Sequence, residues 1–380
     1  MYKIIKASLW NIDGKLELNS EIFEELQLHA ISSIPAPILS HITMSSELQK
    51  AWRNVILQQV AYYSSYKYSQ SKLPINVPYV ILKGTSAAQY YPHPEFRTMG
   101  DIDIMTRRED YDTAYNQLKE AGYYIVDQKE REVTFRKNNI MIELHRCFSS
   151  FNDPKQSEYL DDLIVKNITP SHVLPDLVNG LVLLEHISQH LENGLGLRQI
   201  IDWMMFVDKC LPDEKWLEFE PLSERIGLKK LAITVTRMCE IYLGLPERKW
   251  CKVADEMVCK NLIDYVLSCG NFGSKWKTDN DVGKRVLTYT RGPISTIKWL
   301  QERGMVNWKA AQKRKILRNF AWLYQAIRYV YKGVSQEGSF LSVKEEYLAA
   351  KKRNLLFNSL GVKQKSKGLV VYRNGKYVKK

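Results

Sequence analysis

Gly100-Asp101-Ile102-Asp103-Ile104-Met105 is the stretch on which the reading of this chain turns. Residues 101–105 read as a strand, in which successive side chains point to opposite faces, so Asp101 and Asp103 share one face while Ile102 and Ile104 enter the core. Two carboxylates held in this way repel unless a proton or divalent ions lie between them, and oxygen ligands of this kind suit Mg²⁺ with phosphates completing its shell. Removing either acid without metal is therefore expected not to lower the melting temperature. C-terminal to this strand, Thr106-Arg107-Arg108-Glu109 matches a capping box. Tyr111, Ala114, Leu118 and Ala121 then keep helical spacing as far as Gly122. Strands at 133–136 and 140–145 follow, joined at Asn138-Asn139, a pair that tolerates the positive φ of a tight turn. Alternation in the second of these sends Met141, Glu143 and His145 to the face opposite Ile140, Ile142 and Leu144, making Glu143 a candidate third carboxylate. On the N-terminal side, residues 79–82 form a short β-rich run, and Lys83-Gly84-Thr85-Ser86 leads from it into a helical turn. The backbone N–H groups and hydroxyls of such a turn can cradle a triphosphate, and Lys83 adds a positive charge.

Around this mixed unit the texture is helical. Residues 20–72 read as helix interrupted at Ile34-Pro35-Ala36-Pro37, and beyond residue 149 the helical stretches are 175–210, 215–243, 253–269 and 294–332. The expected class is α+β. Its parts are an N-terminal helical segment (1–75), a small mixed-sheet α/β core (76–150), a larger helical domain (151–350) and a basic tail (351–380). The net charge of +13 is concentrated in that tail, which carries ten Lys or Arg and no acid, so the body is close to neutral. Within it, residues 369–378 carry Asn374-Gly375 between two β-rich arms, a hairpin signal. Three readings of the tail stand: a solvated segment, a hairpin docked on the acidic metal cleft, or a site recruiting an anionic acceptor such as RNA or a phosphorylated glycan. Tyr372 and Tyr377 suit either base or sugar stacking or cross-strand packing. No segment approaches the length of a membrane span and the start lacks a signal-peptide pattern, which predicts a cytoplasmic protein. Cys147, Cys210, Cys239, Cys251, Cys259 and Cys269 show no close metal-ligand spacing and are expected to be reduced and mostly buried.

Leu82-Lys83-Gly84-Thr85, Tyr90-Tyr91, Arg97, Gly100-Asp101-Ile102-Asp103-Ile104 and Ile142-Glu143-Leu144-His145, taken in order, resemble the polymerase-beta-like nucleotidyltransferases. The similarity is greatest to a poorly characterised bacterial branch with a Leu-Lys-Gly signature, although the separation from turn to Asp101 is lengthened by a loop at Pro92-His93-Pro94. The resemblance implies that Asp101 and Asp103 bind two Mg²⁺ ions, with Mn²⁺ as an alternative. Glu143 would complete the metal site and favour deprotonation of the acceptor, and Gly84 and Thr85 would hold the phosphates of an NTP. Ser86, Lys83 and Arg97 fall with them as nucleotide contacts, Lys83 and Arg97 being open also to a structural ion pair. The implied reaction is two-metal transfer of an NMP to a hydroxyl acceptor with release of pyrophosphate. The acceptor is open between a small molecule, a sugar, a protein and RNA. The alternatives are a non-catalytic nucleotide-sensing or nucleic-acid-binding relative, and a protein of the toxin–antitoxin kind that modifies another protein with AMP. His186, His190, Leu195-Gly196-Leu197-Arg198 and Asp202 also look like the same branch. His186 and His190 have zinc-compatible spacing but lie among Leu183, Leu184, Ile187 and Leu191, which favours packing. Arg198 and Asp202 are one helical turn apart and suited to pair.

Overall fold

The computed structural model describes residues 1–10, 12, 14–276, 297, 300–301, 303–305, 307–337, 340–362, 370–373 and 376–379. The chain divides into two compact units, Met1–Ser274 with Leu360–Lys380, and Lys275–Ser359. In the second, the described helices are Lys309–Lys313, Lys315–Arg318, Ala321–Glu337 and Phe340–Ser359. No helix among the described residues is long and apolar enough to cross a membrane.

The first unit is built around a five-stranded sheet in the order β3-β4-β7-β6-β5. Its strands are β3 (Tyr79–Leu82), β4 (Ile102–Thr106), β5 (Tyr124–Gln128), β6 (Glu132–Lys137) and β7 (Ile140–His145), the short β1 (Leu16–Glu17) and β2 (Ile42–Thr43) pairing separately. β4 runs parallel to β7, and the other neighbours are antiparallel. This parallel pair sets the register that matters, since it places Asp103 beside Glu143 and Ile104 beside Leu144. The alternation expected of β4 holds: Ile102 and Ile104 join Ile142, Leu144, Val133 and Phe135 in one core with Tyr111, Ala114 and Leu118 of helix α5 (Tyr111–Glu120). The β6–β7 turn falls at Asn138, which adopts φ +53 as its side chain permits.

Two local expectations are corrected. The strand starts at Ile102 rather than Asp101, and Thr106 is no helix cap. Pairing with Tyr79 claims Thr106 for the end of β4, a 3₁₀ turn at Arg108–Asp110 follows, and α5 begins without a side-chain cap. β5 was not anticipated. Four of its five residues are exposed, so it carries almost no buried pattern to read.

Helices precede and follow the sheet: α1 (Tyr2–Trp10), α2 (Ser20–Leu28), α3 (Ser46–Ser71), the four-residue α4 (Thr85–Ala88), α6 (Pro154–Lys166), α7 (Asp176–His190), α8 (Leu197–Cys210), α9 (Asp213–Arg225), α10 (Lys229–Met238) and α11 (Glu256–Cys269). Residues Val178 to Ser188 of α7 and Leu197 to Val207 of α8 are all buried, as apolar character around most of a helix demands. The break between α7 and α8 requires glycine, because Gly194 has φ +105 and a Cβ there would lie 2.2 Å from the Gly273 amide nitrogen. All six cysteines are free, and five of them are buried.

The C-terminal strands β8 (Val370–Arg373) and β9 (Lys376–Lys379) pair as expected, with Tyr372 opposite Tyr377, while the Asn374-Gly375 turn lies outside the described residues. The tail is not simply solvated. Tyr377 is buried against Cys147; its hydroxyl donates to Asp161 Oδ2 at 2.6 Å and lies 2.8 Å from the Ser149 carbonyl oxygen. The docking point is thus α6 and the segment after β7, rather than the acidic cleft. Asp161 Oδ1 also accepts the amides of Phe148 and Ser149, so the hairpin helps to fix the exit of the strand that carries Glu143. Tyr377→Phe keeps the packing but leaves a buried carboxylate short of a donor. We expect a loss of about 1–3 kcal/mol, read as a lower melting temperature of the full chain, and an unchanged value would contradict this docking.

Candidate active site

The turn after β3 is unusual in its backbone. Lys83 takes φ +49 and Gly84 takes φ +48 with ψ −114, a combination that only glycine adopts readily. A Cβ on Gly84 would lie 2.5 Å from the Tyr66 hydroxyl. That hydroxyl donates to the Asp101 carbonyl at 2.8 Å, so Tyr66 packs under the turn and ties down the start of β4 together. Three more α3 residues act alike along one stripe of that helix. Gln59 donates to the Arg97 carbonyl at 2.8 Å, Tyr62 to the Gly100 carbonyl at 2.9 Å, and Gln70 accepts the Thr85 hydroxyl at 2.7 Å. The spacing 59, 62, 66, 70 is a helical stripe of polar and aromatic residues, a pattern present in a stretch that the sequence reading takes only as helix.

This pinning also decides what the turn offers. The Ser86 hydroxyl donates to the Ile81 carbonyl at 2.7 Å and is buried, so it supports the turn from beneath; the Ser86 carbonyl in turn accepts Asn179 of α7 at 2.8 Å. Gly84→Ala should therefore cost about 1–3 kcal/mol in backbone strain, plus the displacement of Tyr66. The same change made in a Tyr66→Phe background is expected to cost less, because the close contact is with the hydroxyl. Equal costs in the two backgrounds, measured by chemical denaturation, would contradict this account of the turn.

The parallel β4–β7 pairing brings Asp103, Glu143 and His145 together, their potential ligand atoms lying within 4.8 Å of one another. His145 Nε2 is 2.9 Å from Asp103 Oδ1 and 3.6 Å from Glu143 Oε2, and its Nδ1 is 3.6 Å from Glu132 Oε2. His145 thus makes a hydrogen bond to Asp103 and also stands among the candidate ligands. Lys83 Nζ lies 2.6 Å from the same Asp103 Oδ1 and 5.8 Å from the centroid of the Phe148 ring.

The electrostatics differ from simple repulsion between two acids. Burial pushes the Asp103 carboxyl up, but Lys83 and the His145 hydrogen bond outweigh it and hold the group at about 2. Lys83 remains charged despite burial because Asp103, Asp101 and Glu143 all act on it. Glu143 is pushed up to about 9, first by burial and then by Asp103 and Asp101. Lys83 therefore neutralises Asp103, and a proton on Glu143 relieves the rest. The expectation that removing either strand acid is harmless without metal is corrected for Asp103, since its loss would strand a buried ammonium. The cluster has one acid more than Lys83 can balance, and two carboxylates with an imidazole form a donor set that fits a divalent ion.

Arg97 takes the structural ion pair of its two readings. Its Nε and Nη2 reach Asp202 Oδ1 and Oδ2 at 2.7 and 2.6 Å, Tyr91 donates to the same Oδ1 at 2.7 Å, and all three are buried. Asp202 is thereby engaged away from Arg198, which donates instead to the Thr98 carbonyl at 3.3 Å. The rings of His186 and His190 meet edge to face at 4.6 Å, and burial together with neighbouring cations keeps His186 well below its usual range, hence neutral. Among the described residues they belong to no group of three metal-ligating side chains.

A family model described as "Uncharacterised nucleotidyltransferase" matches residues 22–244, which include the sheet, the turn and helices α7 and α8. No curated protein and no solved structure matches the chain.

Proposed function

Because the chain belongs to this uncharacterised nucleotidyltransferase family, we infer that it transfers an NMP from an NTP to a hydroxyl acceptor, with divalent metal and release of pyrophosphate. The observation that carries this reading is the register-fixed pair Asp103–Glu143, with His145 beside it and Lys83 bridging to the Gly84 turn. A strand, a Gly turn with a short helix, and then a strand bearing the acids also favour the polymerase-beta-like relationship over other nucleotide-transferring folds.

Asp103, Glu143 and His145 would hold the ion, and Asp101, whose carboxylate acts on both Lys83 and Glu143, would join them from just before β4. A bound Mg²⁺ or Mn²⁺ supplies charge neutralisation to the phosphates and acidity to the acceptor hydroxyl. The Lys83 ammonium, no longer needed to neutralise Asp103, can turn to the phosphate chain from its place beside Gly84 and Thr85. Glu143, deprotonated once its neighbours' charge is balanced, is placed to accept the hydroxyl proton. The test is isothermal titration with each of the four NTPs in Mg²⁺, in Mn²⁺ and in EDTA. Metal-dependent binding of at least one NTP is expected, and binding that is absent or indifferent to metal contradicts the proposal.

A further inference from the structure

Helix α8 contains a buried cation that pairs with no carboxylate among the described residues. Arg198 is 8% exposed and its Nε has no hydrogen-bond partner among the described residues. Its natural partner one turn on, Asp202, has both oxygens taken by Arg97 and Tyr91. What remains to Arg198 is the Thr98 carbonyl, in the loop that leads to Asp101, and the Phe272 ring 5.1 Å from its guanidinium carbon. An unpaired buried guanidinium is costly, so one retained in a folded chain calls for an anion that the described residues do not provide.

The surroundings indicate where that anion sits. Asp101 is among the charges acting on Arg198, and Lys83 and Arg198 both act on His186, so the guanidinium shares one electrostatic neighbourhood with the acidic cluster. The Gly194–Gly196 break fits closely against the backbone of residues 271–273, which holds Phe272 at φ +52 beside Arg198 and 4.7 Å from the His190 ring. The platform is therefore held by backbone contacts as well as by the ring's packing on His190.

We propose that Arg198 is a phosphate-binding residue that holds the polyphosphate chain of the nucleotide from the helical side, opposite the metal ligands. This deepens the nucleotidyltransferase reading and rests on it for the identity of the nucleotide. The planar guanidinium presents Nε and Nη2 as a fork suited to bidentate phosphate recognition, which a lysine matches only as a point charge. A phosphate placed there would be gripped between Arg198 and an ion on Asp101 and Asp103.

The experiment is calorimetric titration of the full chain with inorganic tripolyphosphate and, separately, with ATP or whichever NTP binds, both in Mg²⁺, for wild type, Arg198→Gln and Arg198→Lys. Arg198→Gln is expected to weaken both ligands by at least about tenfold, with Arg198→Lys losing less. The metal-free melting temperature of Arg198→Gln should be unchanged or higher, because a buried unpaired charge has gone. Tripolyphosphate that fails to bind wild type, or binds both variants as tightly as wild type, overturns the proposal, and so does weakening of tripolyphosphate with NTP affinity intact. If tripolyphosphate binding depends on Arg198 while no NTP binds wild type, the phosphate site stands and the nucleotidyltransferase reading falls.

Discussion

Glu143→Gln is expected to raise the melting temperature of the metal-free protein at neutral pH while removing nucleotide transfer. The sign follows from linkage. A carboxyl with an ordinary value of 4.5 that sits at about 9 when folded binds more protons in the folded than in the unfolded state between those two values. Stability then falls as pH rises through that window, because the unfolded chain releases the proton that the folded chain retains. Glutamine fills the same space without that penalty. At pH 7 the gain should be about 1–3 kcal/mol, discounted for a side chain that remains partly exposed, or a few degrees for a protein of this size. Below about pH 4.5, where folded and unfolded carboxyls are both protonated, wild type and variant should converge. Turnover should fall by about 10²-fold or more, since a neutral amide is a poor ligand and no proton acceptor. Melting curves at several pH values check the first part, and a variant no more stable than wild type at pH 7–8 would contradict it.

Asp103→Asn should act in the opposite direction. Lys83 would keep its charge in a buried place without its partner 2.6 Å away, and His145 would lose a charged acceptor. Breaking one side of a buried ion pair costs about 3–5 kcal/mol. The loss should be largest near neutrality and shrink in acid. Asp103 has its folded value depressed to about 2 from 3.8, so its contribution is present above pH 3.8 and disappears as pH falls through 2. Lys83→Met combined with Asp103→Leu removes both charges and should recover much of the stability without recovering metal binding. A double variant no more stable than Asp103→Asn would show that the pair is not the source of the effect. The contrast between the two acids is diagnostic, because a solvated acidic strand edge would give two small effects of like sign.

Much of the sheet was legible because its residues obey short-range rules. Ile102 and Ile104 alternate with Asp103, Asn138 suits its turn, and the acids of neighbouring strands occupy one face. The parallel β4–β7 register could not be read, since it depends on how the intervening α5 and β5–β6 segments return the chain. That register is what makes Asp103 and Glu143 neighbours. The helical half was legible as helix and not as chemistry. Arg198 and Asp202 have the spacing of a helical pair, but Arg97, a hundred residues earlier, outcompetes Arg198 with a bidentate geometry. The α3 stripe was missed for a related reason: Tyr62 and Tyr66 count as apolar in a periodicity, while their hydroxyls act on carbonyls that only the fold brings near. Tyr377 was placed in a hairpin, but its docking on Asp161 spans more than two hundred positions and leaves no local trace.

The most direct test of the central claim is transfer of label from NTPs carrying ³²P at the α-phosphate, incubated with the protein, Mg²⁺ or Mn²⁺ and host lysate, beside the same reactions with label at the γ-phosphate. The account predicts that α-label from at least one NTP becomes attached to an acceptor, that γ-label leaves as pyrophosphate, and that both are lost with EDTA and in Glu143→Gln, the variant expected to fold best. Attachment of γ-label instead, or no transfer from any of the four NTPs with either ion, would contradict it.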